Sequence, residues 1–220
     1  MPPFDLVIFD NDGVLVDSEP LANGVLAEIL TSYGLAVTTQ DCIERYLGNT
    51  LERVRWLVET ELGHPIPAQF EDRYRATVYP RLAESVQPIA GVAAVLDRLA
   101  VVGMATCVAS SAIHQRIQLT LTTAGLIDRF EPDRLFSAQD VGRGKPAPDL
   151  FLFAARTLDV APARCAVVED APAGVEAANA AGMTAFGYAA LTPRVLLDGA
   201  TGGVIDDMGD LADLLVGPPS

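Results

Sequence analysis

The chain has almost no lysine. Its 220 residues carry fifteen basic side chains, and only one of them, Lys145, is a lysine; the rest are arginines. Acidic residues number 29, so the net charge at pH 7 is -14 and the pI is near 4.4. This argues against nucleic acid or anionic membrane as a partner, because either requires a basic surface. It also means that an anionic substrate cannot rely on the overall field. Local cations, a metal and backbone N–H groups must hold it. Cysteine is scarce as well: Cys42, Cys107 and Cys165 form no Cys-x-x-Cys pair. Cys107 and Cys165 fall in apolar, strand-like runs, the usual setting of a buried free thiol. The odd count suits a reducing compartment. No apolar run approaches the ~20 residues needed to span a bilayer. The start, Met1-Pro2-Pro3-Phe4-Asp5, lacks a basic segment before an apolar stretch. The expected location is cytoplasmic.

What is present is an α/β pattern with an interruption. Half the residues are hydrophobic, enough to bury a substantial core. A strand is expected at Leu6–Asp10. From about Ser18 to Val86 the pattern is helical, with Leu21, Val25, Leu26, Ile29 and Leu30 at helical spacing. Further helices are expected at 40–47, 51–62 and 68–84, the last two separated by Pro65 and Pro67. Strand and helix then alternate: helix 92–102, strand 104–109, helix 114–124, strand 135–137, helix 149–158, strand 165–169, helix 173–181 and strand 183–188. A short strand near Val204 and a helix at 211–215 complete the tail. The alternation predicts a Rossmann-like, doubly wound, mainly parallel sheet. Residues 1–17 and 87–220 form this core, and 18–86 form a small inserted helical domain.

The most informative segment is Phe9-Asp10-Asn11-Asp12-Gly13-Val14. An apolar strand ending in Asp-x-Asp puts two carboxylates at the carboxyl end of a strand, the edge where open α/β sheets bind ligands. Gly13 permits a sharp turn. The repulsion of the two acids calls for an offsetting charge, and a divalent cation supplies one. Three later segments add the groups of a phosphoryl-transfer site: Val108-Ala109-Ser110-Ser111, Gly144-Lys145-Pro146-Ala147-Pro148-Asp149 and Val167-Val168-Glu169-Asp170.

In this order the four segments resemble the haloacid dehalogenase superfamily, in its helical-cap phosphatase and phosphomutase branch, from about Phe4 to about Gly187. The resemblance implies that residues 18–86 are the cap. It implies hydrolysis of a small phosphorylated metabolite, such as a sugar or sugar-acid phosphate, through an aspartyl phosphate. Asp10 is then the nucleophile. Asp12 is the general acid, and afterwards the base that activates water. Ser110, Ser111 and Asn11 bind phosphoryl oxygens, helped by the dipole of the helix that follows Ser110, and Lys145 neutralises phosphoryl and carboxylate charge together. The all-oxygen ligand set suits Mg²⁺. By resemblance it is held by the Asp10 carboxylate, the Asp12 main-chain carbonyl and Asp170. Glu169 joins through water or orients the others, because neighbours on a strand point to opposite faces.

Asp12 separates this chain from the hydrolytic dehalogenases of the superfamily, in which that acid is replaced. The absence of a cap lysine separates it from the phosphonate hydrolases. The alternative is a β-phosphoglucomutase-type mutase. Its hinge histidine is absent from Asp17-Ser18-Glu19-Pro20-Leu21-Ala22, and Leu51 stands where its cap arginine falls, with Arg53 and Arg45 as candidate substitutes. His114 is read as a surface helix residue and His64 as a loop residue. Ala171 replaces a common serine and removes one hydroxyl near the metal set. A phosphate-binding protein without turnover is the reading from a different class, and a turnover assay separates it. The expected assembly is a monomer or homodimer.

Overall fold

The computed structural model describes residues 3–217; the expected outer bounds, residues 1 and 220, lie outside them. The chain divides into two compact units. One is built from the chain up to Asp17 and from Gln87 onward, the other from Ser18–Val86. The chain leaves and re-enters the first unit at adjacent points. Asp17 N–H donates to the Gln87 carbonyl at 2.9 Å, and Ile89 N–H donates to the Leu15 carbonyl at 2.9 Å.

The first unit opens with β1 (Leu6–Phe9). The second holds α1 (Glu19–Ser32), α2 (Thr39–Tyr46), α3 (Leu51–Leu62) and α4 (Phe70–Ser85). The first then resumes with α5 (Val92–Val101), β2 (Ala105–Ser110), α6 (His114–Thr123), β3 (Leu135–Ser137) and α7 (Asp149–Thr157). It closes with β4 (Cys165–Glu169), α8 (Pro172–Ala180), β5 (Thr184–Tyr188), β6 (Gly203–Ile205) and α9 (Leu211–Val216).

The six strands are all parallel, in the order β3-β2-β1-β4-β5-β6. β1 and β4 are buried at every position, as strands covered on both faces must be. On one face Leu6, Ile8, Cys107, Ala109, Cys165 and Val167 pack with Leu150, Phe151 and Ala154 of α7 and Val175 and Ala178 of α8. By strand alternation Val7, Phe9, Val108 and Val168 face the other way; they are fully buried too. This is the doubly wound sheet expected from the alternation.

Register decides where the site lies. Phe9 pairs with Val108 on one side and Val168 on the other. The carboxyl ends of β1, β2 and β4 are therefore level. The strand order reverses direction at β1, which makes this edge the topological switch point of the sheet.

The helical unit has its own local logic. Thr38 and Asp41 form a reciprocal capping box at the start of α2, Thr50 caps α3, and Gly63 ends α3 in a left-handed conformation. Arg81 of α4 grips Glu28 of α1 through two bonds, at 2.7 and 2.6 Å. α4 runs through Pro80. Among the described residues, no helix is long and apolar enough to cross a membrane.

Candidate active site

β1 ends at Phe9, so Asp10 is the first residue past the strand. Its N–H still donates to the Val168 carbonyl at 3.0 Å, which fixes the Asp10 side chain beside the end of β4. Gly13 then turns the chain with φ +77°, and its N–H closes the turn on the Val16 carbonyl at 2.9 Å. The glycine is also required by space. A Cβ at position 13 would stand 2.0 Å from Asp170 Oδ2.

Lys145 is the centre of the charge arrangement. Its side chain is 6% exposed. The ammonium donates to Asp10 Oδ1 at 2.6 Å, to the Ala109 carbonyl at 2.9 Å and to Glu169 Oε1. An ammonium has three protons, and here three acceptors meet them. The nitrogen also lies 5.0 Å from the centre of the Phe151 ring. Burial disfavours its charge, but Asp10 and Glu169 outweigh that and hold Lys145 well above its usual range. Burial raises Asp10 against the pull of Lys145. Burial likewise pushes Glu169 up to about 7, again opposed by Lys145.

One carboxylate oxygen each from Asp10, Glu169 and Asp170 lie within 4.8 Å of one another. Ionised together, the three carboxylates would outweigh the one ammonium by two charges in a largely buried place. Hard oxygen donors with that residual charge fit a divalent cation such as Mg²⁺. The expectation that Glu169 and Asp170 would point apart is corrected. β4 ends at Glu169, so strand alternation no longer governs Asp170, and both carboxylates converge. Gly174 of α8 makes room for Glu169: a Cβ there would stand 1.9 Å from its carboxyl carbon.

Ser110 is the last residue of β2 and is buried, with its hydroxyl accepting from Ala112 N–H at 3.1 Å. Ser111 is exposed. The helix after Ser110 starts only at His114, three residues later than a direct dipole contact at Ser110 requires. His114 is not a bare surface residue. Its Nε2 pairs with Asp140 Oδ1 at 2.8 Å, and its N–H donates to Gln139 Oε1 at 3.1 Å. Ser137 donates its hydroxyl to the Ala112 carbonyl at 2.6 Å. These bonds tie the Ser110 loop to the segment that leads into Lys145.

The phosphate-binding expectation for Asn11 is corrected as far as its side chain is concerned. Asn11 is fully buried and donates from Nδ2 to Thr120 Oγ1 at 3.1 Å. That amide is committed to the core. Asp12 has a partner that sequence reasoning missed: Arg116 donates to its Oδ1 from Nη2 at 2.7 Å and from Nε at 3.3 Å. Arg116 and Thr120 lie four apart on α6, on one helix face. That spacing is the only sequence signal they carried.

In the helical unit, the two arginines considered as substitutes for a mutase arginine are engaged locally. Arg53 stacks on Trp56 at 4.1 Å, and Arg45 pairs with Glu61.

Comparison with known proteins finds relatives along most of the chain. A 6-phosphogluconate phosphatase of Escherichia coli strain K12 is 29% identical over 191 residues, covering 86% of this chain and 85% of that protein. A fructose-1-phosphate phosphatase of the same organism is 34% identical over 180 residues, covering 81% of this chain and 93% of that protein. A haloacid dehalogenase family hydrolase of Deinococcus radiodurans, solved with bound phosphate and sodium, superposes with a TM-score of 0.82 at 30% identity, over 98% of this chain and 99% of that one. The model of the haloacid dehalogenase-like hydrolase family matches residues 7–188, and the chain belongs to that family.

Proposed function

We propose that the protein is a Mg²⁺-dependent phosphatase that hydrolyses a small phosphorylated metabolite of the sugar or sugar-acid class through an aspartyl phosphate. The observation that carries this reading is the ammonium of Lys145 shared between Asp10 and Glu169, beside Asp170, at the switch point of the sheet.

Position supports the following roles. An Asp10 carboxylate oxygen attacks phosphorus, and the bond to the ester oxygen breaks. Asp12 gives its proton to that departing oxygen, which leaves as an alcohol. Water then attacks the acyl phosphate while Asp12 takes its proton. The bond from phosphorus to Asp10 breaks, inorganic phosphate leaves, and Asp12 is protonated again. Lys145 keeps Asp10 oriented and offsets charge on the phosphoryl oxygens, and Ser110 stands at the adjoining strand end. Asp10, the Asp12 carbonyl and Asp170 would hold Mg²⁺, with Glu169 bound to Lys145 beside them. When bound, the metal screens the anionic nucleophile from the anionic phosphoryl group. We read Ser18–Val86 as the cap that selects the ester. The sugar-phosphate class is supported by the two phosphatase relatives.

A screen of phosphorylated metabolites with phosphate release, run with Mg²⁺ and with excess chelator, tests this. Turnover of sugar phosphates is expected, lost on chelation and in Asp10→Asn with the fold retained. Undiminished turnover in either condition would sink the assignment. The mutase alternative predicts glucose 6-phosphate from β-glucose 1-phosphate plus the 1,6-bisphosphate, followed by phosphorus NMR. We expect free phosphate instead.

A further inference from the structure

We propose that Arg116 is a positioning residue that aims the Asp12 carboxyl at the oxygen it must protonate. This rests on the phosphatase reading above. Nη2 and Nε of the guanidinium both donate to the same Asp12 oxygen, Oδ1. The pair is mostly withdrawn from water, with 16% and 18% of the two side chains exposed. It joins residues 104 positions apart.

The pair does more than pin α6 to the turn. Thr120 on the same helix face already does that through Asn11. A largely buried ion pair contributes little net stability over an apolar pair, so packing alone is a poor reason for it. Aim is a better one. Asp12 stands two residues from Asp10, on the turn whose Gly13 lies against Asp170. Whenever Asp12 is ionised, before it takes up its proton and again after giving it away, repulsion from those carboxylates would swing an unrestrained side chain outward. Lys145 is occupied by Asp10, Glu169 and the Ala109 carbonyl. Arg116 supplies the counter-charge and, through its planar fork, a direction.

The test uses Arg116→Met and Arg116→Lys, with folding checked by circular dichroism and thermal unfolding. Proton delivery matters for an alkyl leaving group and not for p-nitrophenolate, which departs as a stable anion. On the sugar phosphate that the wild type turns over best, kcat of Arg116→Met should fall at least about thirtyfold, a fraction of the roughly hundredfold to ten-thousandfold that proton transfer supplies. KM should stay within about threefold. The first-turnover burst of p-nitrophenolate should remain near the wild-type rate, and Arg116→Lys should recover part of kcat. In an Asp12→Asn background, adding Arg116→Met should cost nothing further. Wild-type kcat in both variants would overturn the proposal. So would an equal loss of the alkyl reaction and the burst, or full multiplication of the two losses in the double variant, each the mark of a purely structural brace. If Arg116→Met does not fold, Arg116→Lys and the Asp12→Asn cycle with Arg116→Gln decide by the same criteria. A wild type without turnover in Mg²⁺ fails the phosphatase reading itself and takes the proposal with it, whereas an active wild type with unaffected variants fails the proposal alone.

Discussion

Lys145 shows why residue type can matter more than charge. Three acceptors surround its nitrogen, one of them a main-chain carbonyl, in a largely buried space. A guanidinium is planar, larger and fixed in its donor directions. Lys145→Arg therefore keeps the charge and loses the fit. We expect at least about a hundredfold loss in rate, on the order of 3 kcal/mol, measured as kcat on the sugar phosphate identified by the screen. Wild-type kinetics in that variant would return Lys145 to an ordinary salt bridge. The sequence drew attention to this residue because it is the only lysine among fifteen basic side chains. It could not indicate that Ala109, at the end of a neighbouring strand, offers the third acceptor.

At the scale of elements, the site is made by strand ends and kept open by helix-borne gaps. α8 follows β4 after two residues and begins with Pro172, which suits the first turn of a helix. Its first full turn brings Gly174 against Glu169, where a methyl group would overlap the carboxyl. Gly174→Ala should displace Glu169 and, through it, Lys145 and the acidic cluster. The expected result is a Mg²⁺ affinity weakened by about tenfold or more, in the range of supporting-shell changes at metal sites, read by calorimetric titration with secondary structure retained. An unchanged titration would show that Glu169 can move without cost. α6 works the other way and fills space. Thr120 holds Asn11, and Arg116 holds Asp12, so one helix face braces both residues that follow Asp10.

Across the whole molecule, the net charge of -14 coexists with a site that must receive an anion. The fold reconciles them locally, since Lys145 and Arg116 both stand against acidic residues of the β1 turn. The three cysteines are free and buried. Burial pushes the Cys42 and Cys165 thiols up to about 11 and raises Cys107 as well. At pH 8 the native protein should react only slowly with Ellman's reagent, while three thiols titrate at once in denaturant. Prompt release of an equivalent from the native protein would contradict that burial. The pH effect has a definite sign. Unfolded thiols ionise near 9.0, the ordinary value, and folded ones do so only near 11. The folded state therefore holds more protons in that window, and stability falls as pH rises through it.

The chain by itself determined the sheet and the identity of the acidic site. Apolar runs ending in Asp-x-Asp or Glu-Asp report both a strand and the charge at its end, because strand formation and terminal position are local properties. For the same reason the helix expected at 51–62 and the strands expected at 135–137 and 165–169 coincide with α3, β3 and β4. What only the tertiary structure decided is which side chains face one another. The burial of the Asn11 amide on Thr120, the meeting of Asp10 with Glu169 and Asp170, and the pairing of Asp12 with Arg116 all depend on elements brought together across the sheet. No local pattern encodes them, since the Asp12–Arg116 contact spans 104 positions and follows from where α6 lies after β2 has paired with β1. Register places these groups at one edge, and packing against α6 and α8 decides which atoms of each remain turned toward it.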